Sequence, residues 1–300
     1  MKKTSAVFAI CLGAAVSRPA QAIDLQPEDA VAPPPGLQSV QFGYTYSERG
    51  SYYSKGSKAA GDNQLDLSQF HVRLAGSFEW SGRPSVAYLQ VPYGRIDTTP
   101  NTGALDAPSN MGDLVLMLGT WPYADRERHQ FFGVAGYLFL PTGDYDPKYT
   151  QASLNTNLGE NRYRGSLQVG YHQRVWGRFG WQVAFDTTWY GDNDDFLQGR
   201  AGSTKTVRLS RKPLYAGQTS LAYRLNQNIG LGASYFYTAG GETQHDGVDR
   251  DNRVAVHRYQ LTGYYHFTSS RITLQYGGDI KTENGFKEDR HVILRFTQYF

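Results

Sequence analysis

From residue 40 to its last residue this sequence alternates apolar and polar side chains with a period of two, in segments of strand length. Val40, Phe42, Tyr44 and Tyr46 are interleaved with Gln41, Gly43, Thr45 and Ser47. Phe70, Val72, Leu74, Phe78 and Trp80 are interleaved with Gln69, His71, Arg73 and Ser77. Successive side chains of a strand point to opposite faces, so each segment presents one apolar and one polar face. The pattern recurs near residues 164–175, 181–190, 214–225, 229–238, 254–267, 272–278 and 291–300. Near 86–93, 112–121 and 131–140 both faces are apolar. The last of these also reads as a buried helix, but its length, glycines and aromatics favour a strand.

Amphipathic strands fit a soluble sandwich as well as a membrane barrel, and the connections separate the two. Ser81-Gly82-Arg83-Pro84, 177–180, Asn226-Gln227-Asn228 and 268–271 are short, and 124–130 is slightly longer. Between them lie long polar connections near 48–64, 94–111, 143–163, 191–212, 239–253 and 279–290. Five short turns and six long loops join twelve strands. Short turns on one side and long loops on the other is the outer-membrane pattern, whereas Greek-key connections do not require it. The expected fold is all-β, a transmembrane antiparallel up-and-down barrel of 12 strands over residues 39–300. An even count returns both ends to the periplasmic side. A barrel of this size exceeds the eight-stranded width that side chains can fill, so it has a lumen.

The N-terminal residues read as a signal peptide over 1–22. Lys2 and Lys3 precede an apolar stretch from Ser5 to Val16, and Ala20-Gln21-Ala22 is a small-x-small cleavage site that leaves Ile23 first. The apolar run is shorter than the roughly 20 residues a membrane anchor needs. Removing this segment takes away the sole cysteine, Cys11, and lowers the basic count from 30 to 27 against 27 acidic residues. A mature chain with no thiol has no disulfide, and its even charge balance gives no support for nucleic-acid binding. Residues 23–38, with Pro27 and Pro33-Pro34-Pro35, cannot pair as a central strand and read as a short periplasmic or lumenal tail. Sixteen residues are too few for an independent plug domain. At the other end Val292, Leu294, Phe296 and Phe300 share one face, the arrangement read by barrel-assembly machinery. The 22 Tyr, 15 Phe and 5 Trp suit aromatic girdles at two membrane interfaces.

Several segments follow one another in an order that resembles the meta-pathway phenol-degradation family of outer-membrane transporters. They are Gly112-Asp113-Leu114, Leu140-Pro141-Thr142-Gly143-Asp144-Tyr145-Asp146, Asn157-Leu158-Gly159-Glu160-Asn161-Arg162 and Gly180-Trp181. The resemblance covers residues 112–194; beyond it the strand count rests on alternation alone. It implies uptake of aromatic or other apolar compounds through the outer membrane and identifies no particular substrate.

Inward-facing polar residues are the candidates for lining a pore. Arg73, Arg295 and Asp186 fall near mid-strand, Arg174 and Arg224 towards the periplasmic turns, and Arg258 towards the outside. His71, His172, Gln168 and Gln260 share the inner face. Charged rings select solutes by sign and size, and the same residues would equally serve as a salt-bridge network that fills the lumen. Arg73 and Arg295, two strands apart when the barrel closes, are expected around one constriction with Asp186 as the inward acid at similar depth.

His71 and Ser77 invite comparison with outer-membrane phospholipase A, another twelve-stranded barrel. Its His-x-Ser-Asn-Gly motif is absent, because Val72 and Arg73 follow His71. A nucleophile also needs a base within reach and a third group to orient it, so no catalytic residue is assigned. Asp192-Asn193-Asp194-Asp195 is dense in oxygen ligands but lacks the Gly and distant Glu of an EF-hand loop. It reads as a solvated loop or a divalent-bridged contact with lipopolysaccharide, and no metal or cofactor is assigned. The expected role is passive passage of small, apolar or aromatic solutes. A structural or adhesive surface barrel, or a lipid hydrolase, is the alternative. Apolar inner faces near Val115, Met117, Tyr137 and Phe139 favour the first, unless they pack against the Pro-rich tail.

Overall fold

The computed structural model describes residues 23–199 and 204–300; the segment read as a signal peptide lies outside them. Twelve long strands form: β1 (Gln38–Arg49), β2 (Leu65–Trp80), β3 (Arg83–Thr98), β4 (Leu114–Asp125), β5 (Gln130–Leu140), β6 (Arg164–Trp176), β7 (Phe179–Tyr190), β8 (Leu214–Arg224), β9 (Ile229–Gly240), β10 (Val254–His266), β11 (Ser270–Thr282) and β12 (Arg290–Tyr299). Each pairs antiparallel with the next, and β12 returns to β1 in register from Ser39 opposite Tyr299 to Glu48 opposite Arg290. The sheet therefore closes without an edge, which lipid requires because it offers no partner to a free backbone N–H or C=O.

The distribution of side chains identifies the outer solvent. Phe42, Leu74, Phe185, Leu221, Leu274 and Leu294 are exposed, whereas Gln182, Gln260 and Gln275 are among the most completely buried residues. A water-soluble protein does the reverse. Apolar residues facing outward and amides facing inward suit a barrel with lipid around it and a polar lumen.

The short connections are tight hairpins. Between β2 and β3 only Ser81 and Gly82 intervene, with φ of 51° and 73°. Positive φ at both centres is the primed turn that matches strand twist, and glycine takes the second position without steric cost. Between β4 and β5 the register slips between Thr120 and Tyr123, at Pro122, which has no N–H for the ladder. The bulge lets Trp121 turn inward and be buried while Tyr123 is exposed on the outer face.

The long connections, expected as polar loops, carry structure. Asn193–Leu197, Thr206–Arg211, Thr243–His245 and Val248–Asp249 extend the wall as a small sheet with Phe196, Val207 and Leu209 buried in it. Ser51–Ser54, Ser57–Lys58 and Gly285–Lys287 form another. The loop between β5 and β6 folds into the barrel mouth, where Leu154 and Leu158 pack with Tyr52, Leu65, Leu67, Ile96 and Phe286. The short-turn end holds the meeting of β1 with the C-terminus, since Phe300 N–H donates to Gln38 O at 2.9 Å.

Candidate functional site

The tail lies inside the lumen. Its proline-rich part is held near the short-turn end, where the Ser77 hydroxyl donates to Pro34 O at 2.6 Å and Gly36 N–H donates to Ser77 O at 2.9 Å. From there the chain runs inward to Ile23, and the barrel serves its main-chain atoms one by one. Trp121 Nε1 donates to Ala30 O at 2.8 Å, Ala30 N–H to Gln182 Oε1 at 2.9 Å, and Gln182 Nε2 to Gln26 O at 3.0 Å. Leu25 N–H donates to Gln218 Oε1 at 3.2 Å, and Gln168 Nε2 to Ile23 O at 2.7 Å. An extended segment without a strand partner must find such acceptors and donors elsewhere, and wall side chains supply them.

The tail carries three acids and no base, and each acid meets arginine. Asp24 ion-pairs with Arg258 at 2.5 Å. Glu28 ion-pairs with Arg224 at 2.8 Å and accepts from the Tyr264 hydroxyl at 2.7 Å. Asp29 is under the combined positive charge of Arg271, Arg295 and Arg73. Glu28 follows Pro27 in a turn closed by Asp29 N–H to Gln26 O at 3.0 Å, and it has φ of 75°. That conformation costs a non-glycine residue about 1 kcal/mol or more, and the Arg224 and Tyr264 contacts hold it.

The ten candidate residues divide accordingly. Arg73 and Arg295 do lie on adjacent pleats around β1, since Gln41 is opposite Arg73 and Gly43 is opposite Arg295 and His71. Arg73 bonds Gln90 Oε1 at 2.7 and 3.0 Å and lies 4.3 Å over the Tyr88 ring, and Arg295 bonds Gln275. The acid facing them is Asp29; Asp186 instead meets the Ile23 backbone nitrogen. Arg224, Arg258 and Gln168 hold the tail. Gln260 accepts from His291 at 3.2 Å, and His71 contacts Gln41 at 3.3 Å. His172 is buried against Phe131, and Arg174 is exposed near the short-turn end. Alternation had flagged none of Trp121, Gln182, Gln218 or Arg271 as tail or cavity residues. The surplus of acid in the tail and of inward arginine in the wall was the available signal.

Between the tail and the wall from β11 round to β5 lies a cavity of about 240 Å³. The wall brings Arg73 and Arg271 on one side and Val86, Tyr88, Met117 and Tyr137 on the other, and the tail brings the acids Asp24 and Asp29. Arg271 Nε and Nη2 and Arg295 Nε are buried without a hydrogen-bond partner among the described residues. A smaller apolar space of about 60 Å³ lies between Leu25, Ala30, Met117, Trp121 and Ala135. The two-sided apolarity of β3 to β5 has its explanation here, because their inner faces pack on the tail and line these spaces.

Three of the four family-like motifs come together elsewhere, as a clasp at the root of the β5–β6 loop, while Gly180-Trp181 stands apart at the short-turn end of β7. Asp113 accepts from Gly143 N–H at 3.2 Å and from Glu160 N–H at 3.1 Å, and Asp144 accepts from Met111 N–H at 2.9 Å. Asn157 closes on Asp146 through two bonds of 3.0 and 3.1 Å. Glu160 ion-pairs with Arg162 at 2.8 Å and with Arg164 at 3.1 Å. A Cβ on Gly143 would stand 2.6 Å from the Gly112 carbonyl carbon, so only glycine permits this approach. Burial and the neighbouring Glu160 carboxylate raise the Asp113 carboxyl above its ordinary range. The motifs thus fix a loop over the mouth.

The remaining polar clusters do not converge. His71 and Ser77 serve separate partners, Gln41 and the tail carbonyls. Asp194 ion-pairs with Arg208 at 2.6 Å, while Asn193 turns inward to Tyr145 and Glu160.

Comparison with known proteins agrees with this architecture. No match to a curated protein was found. Among solved structures, the COG4313 outer membrane channel from Pseudomonas putida F1 is similar at 29% identity and a TM-score of 0.84, over 92% of this chain and 100% of that one. The β domain of the Bordetella autotransporter BrkA shares the fold at 10% identity and a TM-score of 0.52, over 88% of this chain and 99% of that one. Residues 48–296 match the model of the family described as the MetA-pathway of phenol degradation. With most of its length matched, the chain belongs to that family.

Proposed function

We propose that this chain is an outer-membrane channel for passive uptake of small apolar or aromatic solutes, kept narrow at rest by its own tail. The observation that carries this is the cavity beside the tail, with arginine on one wall and aromatic and aliphatic side chains on the other. Such a lining accommodates a ring against Tyr88 and Tyr137 and an electron-rich face or anionic group against arginine. A purely aqueous pore would not gather Met117, Trp121 and Tyr137 around its path. The similar Pseudomonas protein is an outer membrane channel, which supports the same reading. The role is transport. Exposed Phe300 is the handle we assign to the assembly machinery, and the outer belt faces lipid and lipopolysaccharide.

Reconstituted liposomes test the reading. Benzoate, which crosses lipid slowly as the anion, should enter faster than a neutral sugar of similar size, and deleting residues 24–36 should raise both rates and the bilayer conductance. Entry no faster than into empty liposomes, with and without the tail, would refute it.

A further inference from the structure

Asp186 is buried on the inner face of β7, with 6% of its surface exposed. Its Oδ1 has no hydrogen-bond partner, and among the described residues it has no ion pair. The neighbouring acid, Asp24, is neutralised by Arg258 at 2.5 Å, which leaves one carboxylate of this cluster without a counter-charge. An unpaired charge away from water is costly. Two groups stand against the Asp186 carboxyl, the Gln168 side-chain amide and the backbone nitrogen of Ile23, and neither brings a charge. Gln168 holds the Ile23 carbonyl at 2.7 Å and so fixes that nitrogen in place. Ile23 is also the residue that follows the small-x-small site Ala20-Gln21-Ala22.

We propose that Asp186 is the receptor for the chain's own α-ammonium, created by cleavage before Ile23, and that their ion pair locks the tail in the lumen. The proposal rests on the reading of residues 1–22 as a cleaved signal peptide. Hydrolysis of the Ala22–Ile23 amide consumes one water. The acyl carbon becomes the carboxylate of the released peptide, and the nitrogen, with the proton liberated, becomes –NH₃⁺. An amide nitrogen offers one N–H and no charge. The ammonium offers three N–H donors and one positive charge, enough to reach both carboxylate oxygens and to balance the Asp24, Arg258 and Asp186 cluster. Processing would then do more than release the chain: the barrel would acquire its closed tail only once the new terminus exists.

Two measurements on the purified barrel keep the two readings apart. Intact mass reports the terminus, and a terminus other than Ile23 overturns the cleavage reading. On protein shown to start at Ile23, the α-amine should react with an acylating reagent more than about tenfold slower in the folded barrel than after denaturation, because reaction requires the tail to open. Asp186→Asn, and insertion of one alanine between Ala22 and Ile23, should each abolish that protection and raise conductance. An α-amine that labels equally fast folded and denatured would overturn the proposal, with no variant needed. So would full protection retained in Asp186→Asn.

Discussion

Trp121 Nε1 donates to the carbonyl of Ala30 at 2.8 Å, and this bond ties the bulged part of β4 to the turn of the tail. Gly133 on β5 leaves room for the indole, since a Cβ there would stand 3.0 Å from Nε1. Trp121→Phe keeps an apolar ring and removes the donor, leaving a buried carbonyl without its partner. The cost is about 1–3 kcal/mol, and it falls on the seated tail. Single-channel recording should show openings at least about fivefold more frequent. Unchanged gating would mean the tail is held without this bond.

Arg73 and Arg295 share one region of wall that faces Asp29 of the tail, and their replacement separates two roles. Arg73→Gln together with Arg295→Gln removes two positive charges near the cavity and keeps hydrogen-bonding capacity. If they select solutes, reversal potentials in a salt gradient should shift away from anion preference, and benzoate entry should fall several-fold while the barrel still inserts. If they only brace the lumen, selectivity should stay and the temperature at which the barrel unfolds on gels should fall.

The twelve strands were readable because lipid enforces an apolar outer face on every one of them, and most set it against a polar inner face. Phe70, Val72 and Leu74 must face outward, and His71 and Arg73 must not. In β3 to β5 the alternation fades at Val86, Met117 and Tyr137, because there the inner wall meets tail and not water. The tail itself was harder to read. Gln182 and Gln218 bind main-chain atoms, so they impose no pattern on the residues they hold. Asp24 and Glu28 against inward Arg258 and Arg224 were the legible half of that contact, whereas Arg271, which acts on Asp29, falls in a stretch that reads as a short turn. The clasp was visible as a family-like motif, but its geometry was not, since Asp113 binds the backbone of Gly143 and Glu160 from far along the chain.

Asp113 supports two backbone N–H groups of the β5–β6 loop, and Gly143 lies against Gly112. Asp113→Ala should strand both donors in a buried place, at about 2–4 kcal/mol in all. Gly143→Ala should force the loop root apart. Either change should leave the strands intact and make residues 141–163 sensitive to protease added to whole cells. Resistance equal to wild type would show that the clasp does not hold the loop.

Phe300 projects its ring outward, 71% exposed, while its backbone N–H bonds Gln38. The ring therefore adds little to the finished barrel. Deleting Phe300 should lower the outer-membrane level and leave unfolded chain in the periplasm, while molecules that do insert should keep near-normal heat stability. A normal membrane level would show that the assembly machinery does not need the residue.

Glu288, in the long connection before β12, ion-pairs with Arg49 at 3.1 Å, hydrogen-bonds His291 Nδ1 at 2.7 Å, and accepts from the Ser47 hydroxyl at 2.5 Å. Burial alone would raise its carboxyl. The bonds to His291 and the charge of Arg49 outweigh that and hold it below the ordinary range. A carboxyl lowered in the folded state binds fewer protons there than in the unfolded chain. Its contribution is therefore full above the unfolded value of about 4.3 and declines as pH falls through the folded one. Wild-type barrel should keep its heat stability from neutral pH down to mild acid and lose it progressively below about pH 4. Glu288→Gln leaves the Arg49 guanidinium, 3% exposed, without its counter-charge. The loss should be about 3–5 kcal/mol at neutral pH, read as a lower unfolding temperature in unboiled gel-shift assays. The variant should also show a flatter decline below pH 4, because the titrating group is gone. A variant as stable as wild type at neutral pH, or one that retains the full acid-dependent decline, would assign the stability of this mouth to other contacts.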